Sequence, residues 1–233
     1  MSDNRFESST VLAKQLADAV SLCLKERVEQ KGRACLAVSG GNTPKAFFEE
    51  LGKRQLPWSH ILVTLVDERW VGESDPSSNA GLVREHLLRG PAKAAYFLPL
   101  KNSALTPAAG FMACENSLHE QISRLDVAVF GMGSDGHTAS WFPHSTALDR
   151  CLDESGSAWS CPVMDTELAI PRMTLTWAML SRCQKIFLHF EGDEKNSVFN
   201  AACDPGQRQN IAAMPVRTLL FQSQVPLSIF RTS

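Results

Sequence analysis

The segment Gly131-Met132-Gly133-Ser134-Asp135-Gly136-His137 carries the residues best suited to chemistry in this chain. Its three glycines let a ligand come close to the backbone. Asp135 and His137 stand two apart, so the carboxylate can orient the imidazole. Histidine, with a reference pKa of about 6.5, suits a general base near neutral pH. A lone histidine is more often structural than catalytic. One in a glycine loop, beside an aspartate and straight after an apolar run, shifts that weighting.

Two further segments are polar where the preceding residues are apolar. In Ser39-Gly40-Gly41-Asn42-Thr43-Pro44 the glycines free the backbone to turn and present N–H groups. Ser39 and Thr43 add hydroxyls, and a helix after Pro44 would add its positive end. This reads either as an anion site suited to a phosphate or as a plain strand-to-helix turn. It is neither a Walker A loop nor GxGxxG, so a nucleotide is not implied. Asp67-Glu68-Arg69 sets two carboxylates and a guanidinium at a strand end, and successive side chains there point opposite ways. Taken alone it reads as a solvated charged turn. Asp75 and Asn79 follow, and Asn79 can simply cap the next helix.

The remaining histidines are weaker candidates. His60 precedes a strand, His86 and His119 fall on helices, His144 lacks a ligand-pair spacing, and His189 lies inside a strand as core or edge. Neither HExxH nor a Cys/His cluster is present, so metal catalysis has little support and no metal or other cofactor is expected. GxSxG is absent, so Ser39 is not a convincing nucleophile. The five tryptophans are spread out and read as core or pocket wall.

These segments need a scaffold, and the sequence supplies one. Buried-type apolar runs at 34–39, 61–66 and 126–130 read as strands, each ending in one of the three polar segments. Strands are also expected at 96–98, 185–190 and 216–221. Helical spacing marks 9–31, with Ser9 or Thr10 as N-cap and Gly32 as the stop. Helices are further expected at 44–54 (capped by Thr43), 79–88, 107–124 and 194–202. The stretch 148–170 reads as a turn-rich excursion over the sheet. Alternation of apolar strands with helices indicates a parallel sheet covered on both faces, one α/β/α domain over 1–233. In such sheets ligands bind beyond the carboxyl ends of the strands, where all three polar segments fall.

Composition narrows the function classes. The chain has 233 residues, with 23 Lys+Arg against 25 Asp+Glu and a net charge of −2. That balance argues against nucleic acid or an anionic membrane held by bulk charge. Hydrophobic residues, at 44 %, are enough for a real core. The start of the chain lacks a signal-peptide apolar core, and no apolar run approaches a membrane span. The 7 cysteines form no CxxC and read as reduced thiols of a cytoplasmic protein.

Taken together, the 39–44 segment, Asp67-Glu68-Arg69 with Asp75 and Ser78-Asn79, and the run from Gly131 through Pro143 resemble the 6-phosphogluconolactonase family. That family shares a superfamily with glucosamine-6-phosphate deaminase. Arg172-Met173-Thr174-Leu175-Thr176 and Gly192-Asp193-Glu194-Lys195 are weaker matches in the same order. The resemblance implies a Rossmann-like three-layer α/β/α fold with a mostly parallel sheet. It implies a cytoplasmic, metal-free esterase that opens 6-phospho-D-glucono-1,5-lactone to 6-phosphogluconate in the pentose phosphate pathway. Glucose-6-phosphate dehydrogenase is then a functional neighbour, with no physical complex implied.

Carried over by motif, His137 is the general base and Asp135 positions it. Ser39, Gly40, Gly41, Asn42 and Thr43 hold phosphate or nearby sugar oxygens, with Asp67 and Asn79 alongside. Arg69, Arg172 and Lys195 are the candidate cations, their roles undivided. The sequence departs from the family pattern at Gly72, expected to loosen the loop carrying Asp75, and at Trp141, expected to reshape one wall. The deaminase motif carries a Glu before the Pro that ends this run. Here that residue is Phe142, which cannot transfer a proton, and this favours the lactonase. A deaminase-like isomerase and a non-catalytic sugar-phosphate sensor are the alternative readings.

Overall fold

Residues 1–232 are described by a computed structural model. In chain order its elements are β1 (Ser2–Phe6), α1 (Ser9–Lys31), β2 (Ala34–Val38), α2 (Lys45–Gly52), β3 (Ile61–Leu65), β4 (Asp67–Arg69), α3 (Asn79–His86), β5 (Tyr96–Phe97) and α4 (Pro107–Gln121). There follow β6 (Val127–Phe130), α5 (Leu148–Leu152), β7 (Ser160–Val163), β8 (Arg172–Leu175), α6 (Trp177–Leu180), β9 (Lys185–Phe190), α7 (Asp193–Ala202), α8 (Arg217–Phe221) and β10 (Leu227–Thr232).

The apolar runs become the middle of a 7-stranded sheet in the order β1-β10-β9-β6-β2-β3-β5. Every pairing in it is parallel. Each residue of β2 and of β6 is buried, as expected of strands with helices over both faces. The chain starts its main layout at β2, runs outward through β3 and β5, then returns to place β6 on the other side of β2. The strand order therefore reverses between β2 and β6. The loops leaving those two strands diverge there and leave a crevice at their carboxyl ends. The 39–44 and 131–137 segments are those two loops.

A second sheet, antiparallel in the order β4-β8-β7, stands beside the first. The sequence reading had no place for it: β4 is a charged tripeptide and β7 lies in the 148–170 excursion. Val66 joins the two sheets, its carbonyl accepting from Leu175 N at 2.8 Å.

Three local expectations are corrected. Ser8, in an extended conformation, caps α1 by accepting from Val11 N, one residue before the expected cap. Gly32 does end that helix, with φ of 75°. At α2 the cap position is Pro44, whose backbone is already helical, and the Thr43 hydroxyl makes no cap. The 216–221 run is the helix α8, and the strand that pairs with β9 comes later as β10. A short apolar run has no period of its own to separate helix from strand.

Candidate active site

The crevice between β2 and β6 is built on a buried polar floor. Ser39 N donates to Val129 O at 2.9 Å, which hangs the start of the 39–44 loop on β6. Asn79, the first residue of α3, lies beneath that loop. Its Nδ2 donates to the Asp67 carbonyl at 2.8 Å. A Cβ on Gly40 would fall 1.8 Å from Asn79 Oδ1, so glycine is required for the loop to pass over the amide. Asp67 in turn accepts from Ser140 Oγ at 2.6 Å, tying β4 to the turn beyond His137.

Glu68 points the other way, as strand alternation demands. Its carboxylate accepts from the backbone N–H groups of Arg69 (2.7 Å), Asn79 (2.8 Å) and Ala80 (2.8 Å). It satisfies the open donors at the start of α3, while Ser78 Oγ caps that helix by accepting from Gly81 N. Burial pushes the Glu68 carboxyl above its ordinary pKa, against the pull of those backbone bonds. Asp67-Glu68-Arg69 is thus no solvated turn: Asp67 and Glu68 are both buried.

Cations stand above this floor. Arg69 donates through Nη1 to Ser77 O at 2.8 Å, and its Nε is buried without a partner. Lys195, in the first turn of α7, donates to Thr43 Oγ1 at 3.5 Å across 152 residues of sequence. Thr43 therefore faces Lys195 instead of capping α2. Arg172 lies opposite Arg69 in the β4–β8 register, and its guanidinium donates to Ile170 O. Burial, with the Arg69 charge beside it, lowers the Arg172 pKa.

The 131–137 loop forms the opposite wall. Asp135 Oδ1 accepts from the His137 backbone N at 3.0 Å and lies 2.6 Å from its Nδ1. One carboxylate oxygen thus fixes both the backbone and the ring. Burial would raise the Asp135 carboxyl, but its hydrogen bonds to His137 and the His137 charge outweigh this and hold it below the usual range. With Nδ1 so engaged, Nε2 is the ring nitrogen left for a reacting molecule. The ring lies close against the chain at Gly133, where a Cβ would fall 2.2 Å from both Cε1 and Nδ1. Phe142 packs on the imidazole at a centroid separation of 4.9 Å.

These parts enclose an open cleft of about 210 Å³. Ser39, Gly40, Gly41, Asn42, Thr43, Asp67, Arg69, Asn79, His137 and Lys195 all line it. Asp135 reaches it through His137. Arg172 is not among the lining residues. Trp141 is not a wall either: it is fully buried and donates from Nε1 to Leu175 O at 3.1 Å. Gly72 is bridged to Asp75, whose N donates to Gly72 O at 2.9 Å, and neither residue reaches the cleft. Among the polar lining residues, His189 escaped the sequence reading. His189 was placed as core or edge, yet it sits near the carboxyl end of β9, where the strand-end argument also applies. Among the described residues no cluster of metal-ligand type occurs, and no helix is long and apolar enough to cross a membrane.

Comparison with known proteins adds an independent line. The family described as glucosamine-6-phosphate isomerases/6-phosphogluconolactonase matches residues 7–226. A 6-phosphogluconolactonase of Mesorhizobium japonicum is 40 % identical over 227 residues, covering 97 % of this chain and 93 % of that protein. One from Rhizobium meliloti is 40 % identical over 225 residues, covering 97 % and 96 %. The crystal structure of a 6-phosphogluconolactonase from Shewanella baltica superposes with a TM-score of 0.95 at 37 % identity, covering 100 % of this chain and 98 % of that one.

Proposed function

The chain belongs to the glucosamine-6-phosphate isomerase/6-phosphogluconolactonase family, and from that premise we propose that it hydrolyses 6-phospho-D-glucono-1,5-lactone to 6-phosphogluconate with His137 as general base. The observation that carries the mechanism is the surroundings of His137. Asp135 engages one ring nitrogen at 2.6 Å, and the ring packs against Phe142 at a centroid separation of 4.9 Å. An imidazole held by one carboxylate, with an apolar ring where the deaminase motif has a Glu, suits hydrolysis by activated water. Aldose–ketose proton shuffling, as in the deaminase alternative, wants another acid, and Phe142 cannot serve.

The phosphate docks on the 39–43 loop, with Lys195 beside Thr43 and Arg69, which lines the cleft, as the available positive groups. Anchoring it fixes C1 of the lactone near His137 and makes the attack effectively intramolecular. His137 takes a proton from water as the oxygen attacks the C1 carbonyl. A cation or donor of the cleft steadies the tetrahedral oxyanion. The imidazolium returns the proton to the ring oxygen as the C1–O bond breaks. Arg172 is assigned no contact with substrate, since it is not among the residues that line the cleft.

The enzyme acts in the cytoplasm, on the lactone released by glucose-6-phosphate dehydrogenase; the free thiols of its 7 cysteines fit a reducing compartment. The test is turnover of freshly generated lactone, read as NADPH formation by added 6-phosphogluconate dehydrogenase, with spontaneous hydrolysis subtracted. Folded protein with a rate no higher than background would refute this reading.

A further inference from the structure

His189 belongs to a run, Lys185–Phe190, whose neighbours on the strand are apolar and buried. Burying an imidazole in such a place is costly unless both nitrogens are satisfied. Only one is satisfied by protein. Nε2 lies 3.0 Å from Glu191 Oε1, and Glu191 also accepts from the Ser9 hydroxyl. No hydrogen bond reaches Nδ1, and that atom is not among the sealed, unpartnered ones. The residue is only 3 % exposed, and it lines the cleft. Its ring also meets the edge of Phe47, in the first turn of α2, at 6.4 Å and 75°. It therefore sits under the helix that follows the 39–44 loop, on the same side as Lys195.

Glu191 is held ionised. The His189 hydrogen bond lowers its pKa most, burial opposes this, and the Ser9 bond and the charges of His189 and Lys195 add to the lowering. An ionised acceptor assigns the proton to Nε2. Nδ1 is then the free position. The same carboxylate, occupied by His189 and Ser9, is kept from closing an ion pair with Lys195.

From this arrangement we propose that His189 is a substrate-binding residue at the anion end of the cleft, anchored by Glu191 through Nε2 and sharing a hydrogen bond between Nδ1 and the phosphate group. The inference rests on the cleft being a sugar-phosphate site, and it adds a contact that motif reasoning does not supply.

The experiment measures KM and kcat for the phospho-lactone, the inhibition constant of inorganic phosphate, and calorimetric binding of 6-phosphogluconate. The proteins are wild type, His189→Leu and His189→Gln. A hydrogen bond to a charged group corresponds to roughly a ten- to hundredfold change in binding. His189→Leu should raise KM, the phosphate inhibition constant and the 6-phosphogluconate Kd together by at least about tenfold. Its kcat should stay within about threefold of wild type. His189→Gln, which keeps a hydrogen-bonding side chain, should recover part of the loss; it also serves if the leucine variant fails to fold. Unchanged phosphate and 6-phosphogluconate affinities in both variants overturn the proposal. So does a fall in kcat with constant KM, which a merely structural role would give. A wild type that neither turns over lactone nor binds 6-phosphogluconate removes the function reading first and this inference with it. A wild type that does both, matched by His189→Leu, removes this inference alone.

Discussion

The floor of the cleft and its rim use the same kinds of side chain in opposite ways. On the floor, Glu68 accepts from backbone groups of Arg69, Asn79 and Ala80, and Asn79 donates to Asp67, which accepts from Ser140. Little bonding capacity is left over there. On the rim, Arg69 is bonded through Nη1 alone, Lys195 donates only to a hydroxyl, and His137 has one nitrogen tied and one free. The floor spends its polar groups on holding shape, while the rim keeps them for a ligand. Variants of the floor should therefore cost stability, and variants of the rim should cost turnover or binding.

The sharpest break between the two is expected at His137. His137→Ala should lower kcat by about 10²–10⁴-fold, the range for loss of a general base, and leave the unfolding midpoint nearly unchanged. A loss below tenfold in folded protein would take the base assignment away from His137. Gly133→Ala approaches the same ring from beneath. The new Cβ would fall 2.2 Å from the imidazole, so the ring must move. Since small misplacement of a reacting group costs up to about 10²-fold, kcat should drop by about tenfold or more. Normal turnover in Gly133→Ala would show that the ring position seen here is not the working one.

Glu68→Ala inverts the pattern. It leaves buried N–H groups of α3 and β4 without an acceptor, each worth about 1–3 kcal/mol. Stability should fall by about 3 kcal/mol or more in denaturant titration. Whatever protein remains folded should keep its kcat within severalfold. A stable but inactive Glu68→Ala would move Glu68 from the floor to the rim.

Much of the rim was legible from residue types, because glycines, a histidine and an aspartate gathered at the ends of apolar runs. The floor was much less so. Asp67-Glu68-Arg69 looks like a solvated turn until β8 pairs with it, and that pairing joins residues more than a hundred positions apart. The edge strand β1 was missed for a related reason. Its residues are mostly exposed and polar, and it is held by parallel pairing to β10 and by Arg231, which donates to Asp3 at 2.8 and 2.9 Å. His189 is buried within a strand, as its apolar neighbours implied, but that it also lines the cleft was not legible until the fold placed it there.

Among the cations, Lys195 and Arg172 provide the next, smaller contrast. Lys195→Ala should raise KM about tenfold or more, since an ammonium beside Thr43 would be lost from the phosphate end. Arg172→Ala, outside the cleft, should change KM by less than about threefold. Equal effects at the two positions would return Arg172 to the site.

The smallest effect expected is in the pH dependence of stability, and there the two regions should differ in sign. Asp135 on the rim has a folded-state pKa below its ordinary value. Its contribution is present above the unfolded value, about 3.9, and is lost as pH falls through the folded one. Glu68 on the floor has a folded-state pKa above its ordinary value. Its contribution is fully present below the unfolded value, about 4.3, and is lost as pH rises through the folded one. Denaturant titrations of wild type, Asp135→Asn and Glu68→Gln at stepped pH isolate each term by difference. As pH falls below 7, wild type should gain stability relative to Glu68→Gln, while at still lower pH it should lose stability relative to Asp135→Asn. If both differences ran the same way, burial would not be what separates the two carboxylates, and the contrast between a closed floor and an open rim would lose its electrostatic basis.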